Sequence, residues 1–240
     1  MILSDRTIKI LKNCADINES IVINKGSKIK TINKGKFILF HSDIDEVFPC
    51  DVWIYDLKLF VDLCQNKMKG ANIDFLPFPN DEGVAETLLF RKGIQEYFFK
   101  IKMEDVMYII QPEGEIDHFE PTGSFDLLND VFHPLLISAK KFELNDLCIY
   151  GDSESNSLYA DFQNILNDYS SSQRIKIANN LNTDNWFLEN TERNLVLKRK
   201  NCKILPSDYR VTFMEGICLF ESPGGYLKYW VALEPTSNYG

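Results

Sequence analysis

The side chains in this chain that could do chemistry are six cysteines, three histidines and a few paired carboxylates, and their spacing limits what they can do. A structural zinc needs ligands in close pairs. Cys14, Cys50, Cys64, Cys148, Cys202 and Cys218 form no C-x-x-C, and His41, His118 and His133 have no such partners, so metal-ligand spacing is absent. The cysteines read as buried, reduced thiols that pack as small hydrophobes. Asp152, Glu154 and Asn156 alternate as at the start of a calcium loop. Ser157 stands where that loop needs glycine, however, and Gln163 where it needs a bidentate glutamate, so a solvated turn is expected. The acid pairs Asp43/Asp45 and Asp81/Glu82 read as loop charges, with a carboxylate metal site as the alternative. G-x-G-x-x-G, G-x-x-x-x-G-K-[ST], G-x-S-x-G and H-E-x-x-H are all missing. The expectation is a protein without catalysis, metal or cofactor.

What remains is the distribution of charge. The 240 residues carry 26 Lys and Arg against 35 Asp and Glu, a formal net charge of −9. Taken as a sum, that opposes nucleic-acid binding, which needs a basic surface. The cations nevertheless gather on or beside predicted helices: Lys9 and Lys12, Lys67 and Lys69, Lys140 and Lys141, and the cluster Lys198-Arg199-Lys200 with Lys203 one turn on. Contact with phosphate is one reading. A solvated helix face, with cations favoured near helix C-termini, is the other.

These cations need elements to hold them. Ser4 is a plausible N-cap for a helix to about Asp16, whose stripe Leu3, Thr7, Ile10, Cys14 and Ile17 recurs three or four residues apart. Short β-rich runs follow at 20–23, 28–32 and 37–40, read as a meander around the turns Asn24-Lys25-Gly26 and Asn33-Lys34-Gly35. A strand at 52–55 leads into a helix over 56–67 with Asp56 as cap, and strands at 73–76, 87–91 and 96–101 complete the half. Residues 103–123 read as a linker with a short strand at 106–110 inside it. The second half opens on a helix over 124–141, kinked or restarted at Pro134. Strands at 146–150, 157–162, 174–178 and 195–198 follow, then a short helix at 199–205 ended by Pro206, and strands at 209–214, 217–221 and 227–233. Each half reads helix, strands, short helix, strands. No apolar run approaches a membrane span, and Met1-Ile2-Leu3-Ser4-Asp5-Arg6 lacks the regions of a signal peptide, so a cytoplasmic location is expected.

Three stretches carry a resemblance to a known family. They are Leu11-Lys12-Asn13-Cys14-Ala15-Asp16-Ile17-Asn18, Asp51-Val52-Trp53-Ile54-Tyr55-Asp56-Leu57 and the terminal Tyr229-Trp230-Val231-Ala232-Leu233-Glu234, with Leu205-Pro206-Ser207-Asp208-Tyr209-Arg210 as a fourth, turn-like match. Their order and spacing resemble the DNA polymerase sliding clamps of T-even-type bacteriophages. The resemblance implies an α+β clamp fold in two similar domains, residues 1–114 and 115–240, each with two helices packed on curved antiparallel sheets. It implies a homotrimeric ring that encircles double-stranded DNA without reading its sequence. The DNA-facing cations would be Lys9, Lys12, Lys67, Lys140, Lys141, Arg199, Lys200 and Lys203. The partners it implies are DNA polymerase, an ATP-driven clamp loader and, for late transcription, RNA polymerase accessory factors. A polymerase peptide would sit in an apolar pocket, for which Val231, Leu233 and Pro235 are the candidates. The rival readings are an acidic adaptor or assembly protein and an enzyme built on Asp43 and Asp45.

Overall fold

A computed structural model describes residues 1–79, 81–101, 112, 120–165, 171–178, 186–190 and 192–238. The expected strand at 106–110, most of the linker and His118 lie outside these residues. The chain divides into two compact units, Met1–Gly114 and Glu115–Gly240.

In the first unit, helix α1 (Asp5–Ile17) starts at Ser4, whose hydroxyl oxygen accepts the Thr7 N–H at 3.1 Å. All five residues of the expected apolar stripe are buried. Strands β1 (Ile21–Ile23), β2 (Gly26–Ile32), β3 (Ile38–Phe48) and β4 (Val52–Ile54) follow. They are not a simple meander: β1 pairs antiparallel with β4, and β2 pairs with β3. β3 runs on through Asp43, Asp45 and Phe48, because Ser42, Ile44 and Phe48 are buried while Asp43, Asp45 and Val47 point out with period two. Asp45 and Glu46 thereby reach the start of α1. The Ser4 hydroxyl donates to Asp45 at 2.8 Å, Arg6 pairs with Asp45, and the Ser4 N–H and Thr7 hydroxyl donate to Glu46. The Ser4 hydroxyl and Arg6 hold the Asp45 carboxyl below the usual range. Asp45 and Glu46 thus anchor a helix N-terminus, where negative charge is favoured, and the pair Asp43/Asp45, expected as loop charges, lies instead on strand β3.

Helix α2 (Leu57–Asp62) is capped by Asp56, which accepts the Leu59 N–H at 2.9 Å. It continues as a π turn, Leu63–Lys67, closed by the Met68 N–H on the Leu63 carbonyl at 2.8 Å. β5 (Asn72–Phe78), β6 (Asp81–Lys92) and β7 (Gln95–Lys100) form an antiparallel sheet in that order. Phe60 packs edge-on against Phe90 and Phe99 at 6.0 and 5.6 Å, joining α2 to this sheet.

The second unit repeats this scheme. Its opening segment differs from the expected helix: Gly123–Leu127 is strand β8, paired with β13, and helix α3 begins only at Asn129 and ends at Lys141. Phe125 and Leu127 are buried while Asp126 is exposed, a period-two pattern settled by the distant ladder. Pro134 lies within α3 without ending it. β9 (Asp146–Asp152), β10 (Ser157–Gln163), β11 (Gln173–Ala178) and β12 (Asn194–Lys198) form one sheet in the order β11-β10-β9-β12. A short helix α4 (Trp186–Glu189) packs against it where Gly151 leaves room. A Cβ at Gly151 would lie 2.6 Å from the Phe187 carbonyl oxygen. The expected helix at 199–205 is one 3-10 turn, Arg199–Asn201. β13 (Tyr209–Met214), β14 (Ile217–Glu221) and β15 (Leu227–Ala232) close the unit, β14 pairing with both neighbours.

The repeat is therefore one of pairing. In each unit the strand after the first helix pairs with a strand that leads into a helical turn, β1 with β4 ahead of α2 and β9 with β12 ahead of the Arg199–Asn201 turn. Three sequential antiparallel strands follow, β5–β7 and β13–β15. The six cysteines are free and buried, and burial pushes the Cys64 and Cys202 thiols up to about 12 and Cys148 to about 11. Asp152 caps its own turn, accepting from the Glu154 N–H at 3.0 Å and the Ser155 hydroxyl at 2.8 Å.

Candidate nucleic-acid interface and partner site

Lys9 and Lys12 lie one turn apart on α1, exposed beside buried Ile8, Ile10 and Leu11. Lys140 and Lys141 are exposed on the last turn of α3, and Lys200 is exposed on the 3-10 turn. Among the described residues none of these five takes part in an ion pair. Lys203, two residues past that turn, is exposed as well. Lys67 stands 3.8 Å from Asp62, and Lys69 stands 3.5 Å from Asp5. Exposed pairs of this kind are worth about 0–1 kcal/mol, so a phosphate could replace the carboxylate at little cost.

The cluster Lys198-Arg199-Lys200 does not act as one patch. Lys198 pairs with Asp146 across the β9–β12 ladder, and the Asp146 side chain is 4 % exposed. Arg199 donates from Nε to the Leu144 carbonyl at 2.6 Å and from Nη2 to the Asn145 side chain at 3.3 Å. Both tie the corner between α3 and β9. Arg199 is half-buried in that role, so the exposed charge here is that of Lys200 and Lys203.

The three expected pocket residues separate in the same way. Val231 is wholly buried, opposite Cys218 in the β14–β15 ladder, and Leu233 is buried with its N–H on the Gly216 carbonyl at 2.9 Å. Pro235 is exposed. The chain then runs along β12: the Glu234 N–H donates to the Val196 carbonyl at 2.8 Å, and the Val196 N–H donates to the Ser237 hydroxyl at 2.9 Å.

Beside this terminal run lies a cavity of about 330 Å³ lined by Cys148, Tyr150, Gln163, Asn194, Val196 and Thr236, among others. Tyr150 and Asn194 stand directly opposite one another in the β9–β12 register. The Tyr150 hydroxyl and the Asn194 amide oxygen are buried without a hydrogen-bond partner among the described residues. Unsatisfied buried groups cost about 1–3 kcal/mol each, so a ligand offering a donor and an acceptor here would be favoured. The Gln163 amide donates to the Cys148 sulfur at 3.1 Å. No local pattern in the sequence announces this site, because strands far apart in the chain and its last residues create it together.

No family model matches the chain. It is 26 % identical over 236 residues to a sliding clamp of Vibrio phage KVP40, covering 98 % of this chain and 99 % of that one. Among solved structures it resembles PCNA of A. fulgidus bound to the C-terminal region of FEN-1, with a TM-score of 0.64 at 13 % identity, 99 % of this chain and 98 % of that one being covered. It also resembles the PCNA2–PCNA3 complex of Sulfolobus tokodaii, with a TM-score of 0.62 at 15 % identity over 97 % of this chain and 98 % of that one. The DNA polymerase III β subunit of Borrelia burgdorferi gives a TM-score of 0.64 at 14 % identity, covering 99 % of this chain and 65 % of that longer one. From end to end this chain is similar to a phage sliding clamp, and its fold is the one that PCNA and DNA polymerase III β subunits share.

Proposed function

We propose that this chain is one subunit of a ring that encircles duplex DNA, tethers the replicative DNA polymerase and does no chemistry of its own. The observation that carries this reading is the end-to-end similarity to a sliding clamp. The charge distribution supports it. An acidic protein of net charge −9 keeps exposed lysines on α1, on α3 and after β12, where they can screen phosphate without reading bases. Such contacts are few and replaceable by counterions, so retention comes from topology.

Ring closure needs two surfaces that fit head to tail. Among the described residues β7 pairs only with β6, and β11 only with β10. β7 exposes Tyr97 and Phe98, and β11 exposes Arg174 and Lys176. Pairing of one chain's β7 with the next chain's β11 is a heterologous contact, and three such contacts close a C3 ring. A separate ATP-driven loader would open this ring onto DNA, in keeping with the missing nucleotide-binding motifs. We place the polymerase peptide at the terminal run, with Pro235 and the cavity under Tyr150 and Asn194 as its seat. RNA polymerase accessory factors would use the same seat in late transcription. Sedimentation equilibrium tests the ring: the expected mass is three times the 27.8 kDa chain. A monomer or dimer that persists at high concentration overturns the reading.

A further inference from the structure

The first unit carries a second group of cations, apart from those on its helices. Residues 20–42 contain five lysines and no acid, in a chain where acids outnumber cations 35 to 26. β1 runs end to end into β2, and the β2–β3 register slips between Gly26 and Lys28, with Gly26 at φ 125°. Such a slip bends a strand. In the bend lies a concavity of about 390 Å³ lined by Lys25, Lys28 and Lys30 among others. Beyond it β2 alternates: Ile29 and Thr31 are buried, while Lys28 and Lys30 stand on the other face, about 6.8 Å apart along the strand. α1 packs on β2 and β3 over the buried face, so the sheet separates these lysines from Lys9 and Lys12 on the exposed side of α1. Lys25, Lys28 and Lys36 are exposed, and among the described residues none of the three side chains is in an ion pair. The acids that approach this surface are Asp43, opposite Lys28 in the ladder, Asp51, which accepts the Lys25 backbone N–H at 2.7 Å, and Glu19, 3.8 Å from Lys34.

The β2–β3 hairpin ends on an aromatic ring. Phe37 is 46 % exposed at the turn, next to Lys36. The Asn33 side chain fixes that turn, its oxygen accepting the Phe37 and Ile38 N–H groups at 2.8 and 3.1 Å. Gly35 makes room for the ring, since a Cβ there would lie 2.5 Å from it. Lysines on an edge strand also discourage sheets from adding to one another. That role accounts for Lys28 and Lys30, and not for a fixed, exposed ring beside further cations.

We infer that the β2–β3 hairpin is a second nucleic-acid surface, one that takes a single strand with phosphates on Lys25, Lys28 and Lys36 and a base stacked on Phe37. Every base has a π face, but only an unpaired base can lay it on a side chain, so the ring selects single strands over duplex. The lysines neutralise phosphates without reading bases. An acidic peptide would meet the lysines but brings no planar group for Phe37. From Lys28 to the turn the hairpin spans about 20 Å, which a short oligonucleotide covers. The inference stands apart from the ring reading: it uses none of the cations assigned to duplex DNA, and a monomer would bind in the same way.

The test uses the full chain and a fluorescein-labelled twelve-nucleotide oligo(dT), followed by fluorescence polarisation as salt is raised from low ionic strength. Lys25→Gln/Lys28→Gln removes two phosphate contacts, so the slope of log affinity against log salt should become shallower by about 1.4. Phe37→Leu, which keeps an apolar side chain over Gly35, should weaken binding about tenfold at an unchanged slope, and Phe37→Tyr should bind as the parent does. Lys92→Gln, at the end of β6, should change neither affinity nor slope. Thermal melting should be the same in all four variants. Oligo(dT) annealed to oligo(dA) should bind parent and Phe37→Leu equally. A slope unchanged in Lys25→Gln/Lys28→Gln, parental binding by Phe37→Leu, an equal loss of duplex binding in that variant, or equal displacement of oligo(dT) by a twelve-residue polyglutamate would each overturn the proposal.

Discussion

The two units solve the same structural problem with different chemistry. At the helix-proximal end of the β1–β4 ladder the first registered pair is Ile21 with Ile54, both fully buried. At the same end of the β9–β12 ladder the first pair is Asp146 with Lys198, a nearly buried ion pair whose carboxylate also accepts the Ile165 N–H at 3.1 Å. The element that follows differs too. The first unit has the capped helix α2 extended by a π turn, while the second has one 3-10 turn. What the topology requires is the strand pairing and a connection that turns into the next three strands. The length of the helical connection is free, and so is the nature of the pair that seals the ladder. That freedom explains why a basic cluster can be largely structural in one unit: Lys198 and Arg199 spend their charge on a ladder and a corner that apolar residues and a longer helix secure in the other.

The largest expected effect tests what the units have in common. Each holds three buried cysteines, and burial raises their thiol values, to about 11 or 12 at Cys64, Cys148 and Cys202. In the unfolded chain a thiol ionises near pH 8.5, while the folded thiols stay protonated. The folded state then holds more protons, so stability is intact below about pH 8.5 and falls as pH rises from there to about 12. Urea midpoints taken between pH 7 and 11 should decline, and all six thiols should resist a disulfide reagent at pH 8 until the protein unfolds.

Next come substitutions that separate the two ladders. Ile54→Ala should cost about 3 kcal/mol by leaving a cavity. Asp146→Ala should cost about 2 kcal/mol, less than a fully buried pair because the Lys198 side chain is 30 % exposed. Replacing both partners, Asp146→Leu with Lys198→Leu, should stay within about 1 kcal/mol of the parent, since only the Ile165 N–H loses its acceptor. Denaturant melts of the three proteins check this order. A double variant worse than Asp146→Ala would show that the ion pair is specifically required.

The smallest effect concerns DNA. Lys200→Glu with Lys203→Glu, or Lys9→Glu with Lys12→Glu, should shorten retention on loaded circular DNA severalfold while the oligomeric mass stays unchanged. Arg199→Ala should instead act through stability, because its guanidinium holds Leu144 and Asn145.

Much of this architecture is legible in the sequence, and the exceptions share one cause. Ser4 and Asp56 announce their helices because a cap is local, and the runs at 146–162 and 209–233 announce strands because β-branched and aromatic residues cluster there. Phe125 fits both a helical stripe with Leu128 and Phe132 and a strand with Leu127; the choice is made by β13, some eighty residues on. Arg199–Leu205 has helical composition, yet the Arg199 side chain and backbone are held by Leu144 and Asn145, and the turn stops at Asn201. The surfaces were legible in the same measure. Lys9 and Lys12 follow from helix periodicity and charge, whereas Lys200 is exposed on a 3-10 turn and not on the expected helix. The burial of Val231 and the cavity under Tyr150 and Asn194 depend on which strands meet, which no local pattern specifies.

The central claim is that retention on DNA is topological, and one measurement tests it directly. Labelled protein is loaded onto nicked circular plasmid with the cognate loader and ATP, separated by gel filtration, and followed before and after a single restriction cut. An encircling ring with only loose lysine contacts persists on the circle and is lost once free ends exist. A bound fraction that survives the cut on unblocked ends, and responds to salt instead, would contradict the account.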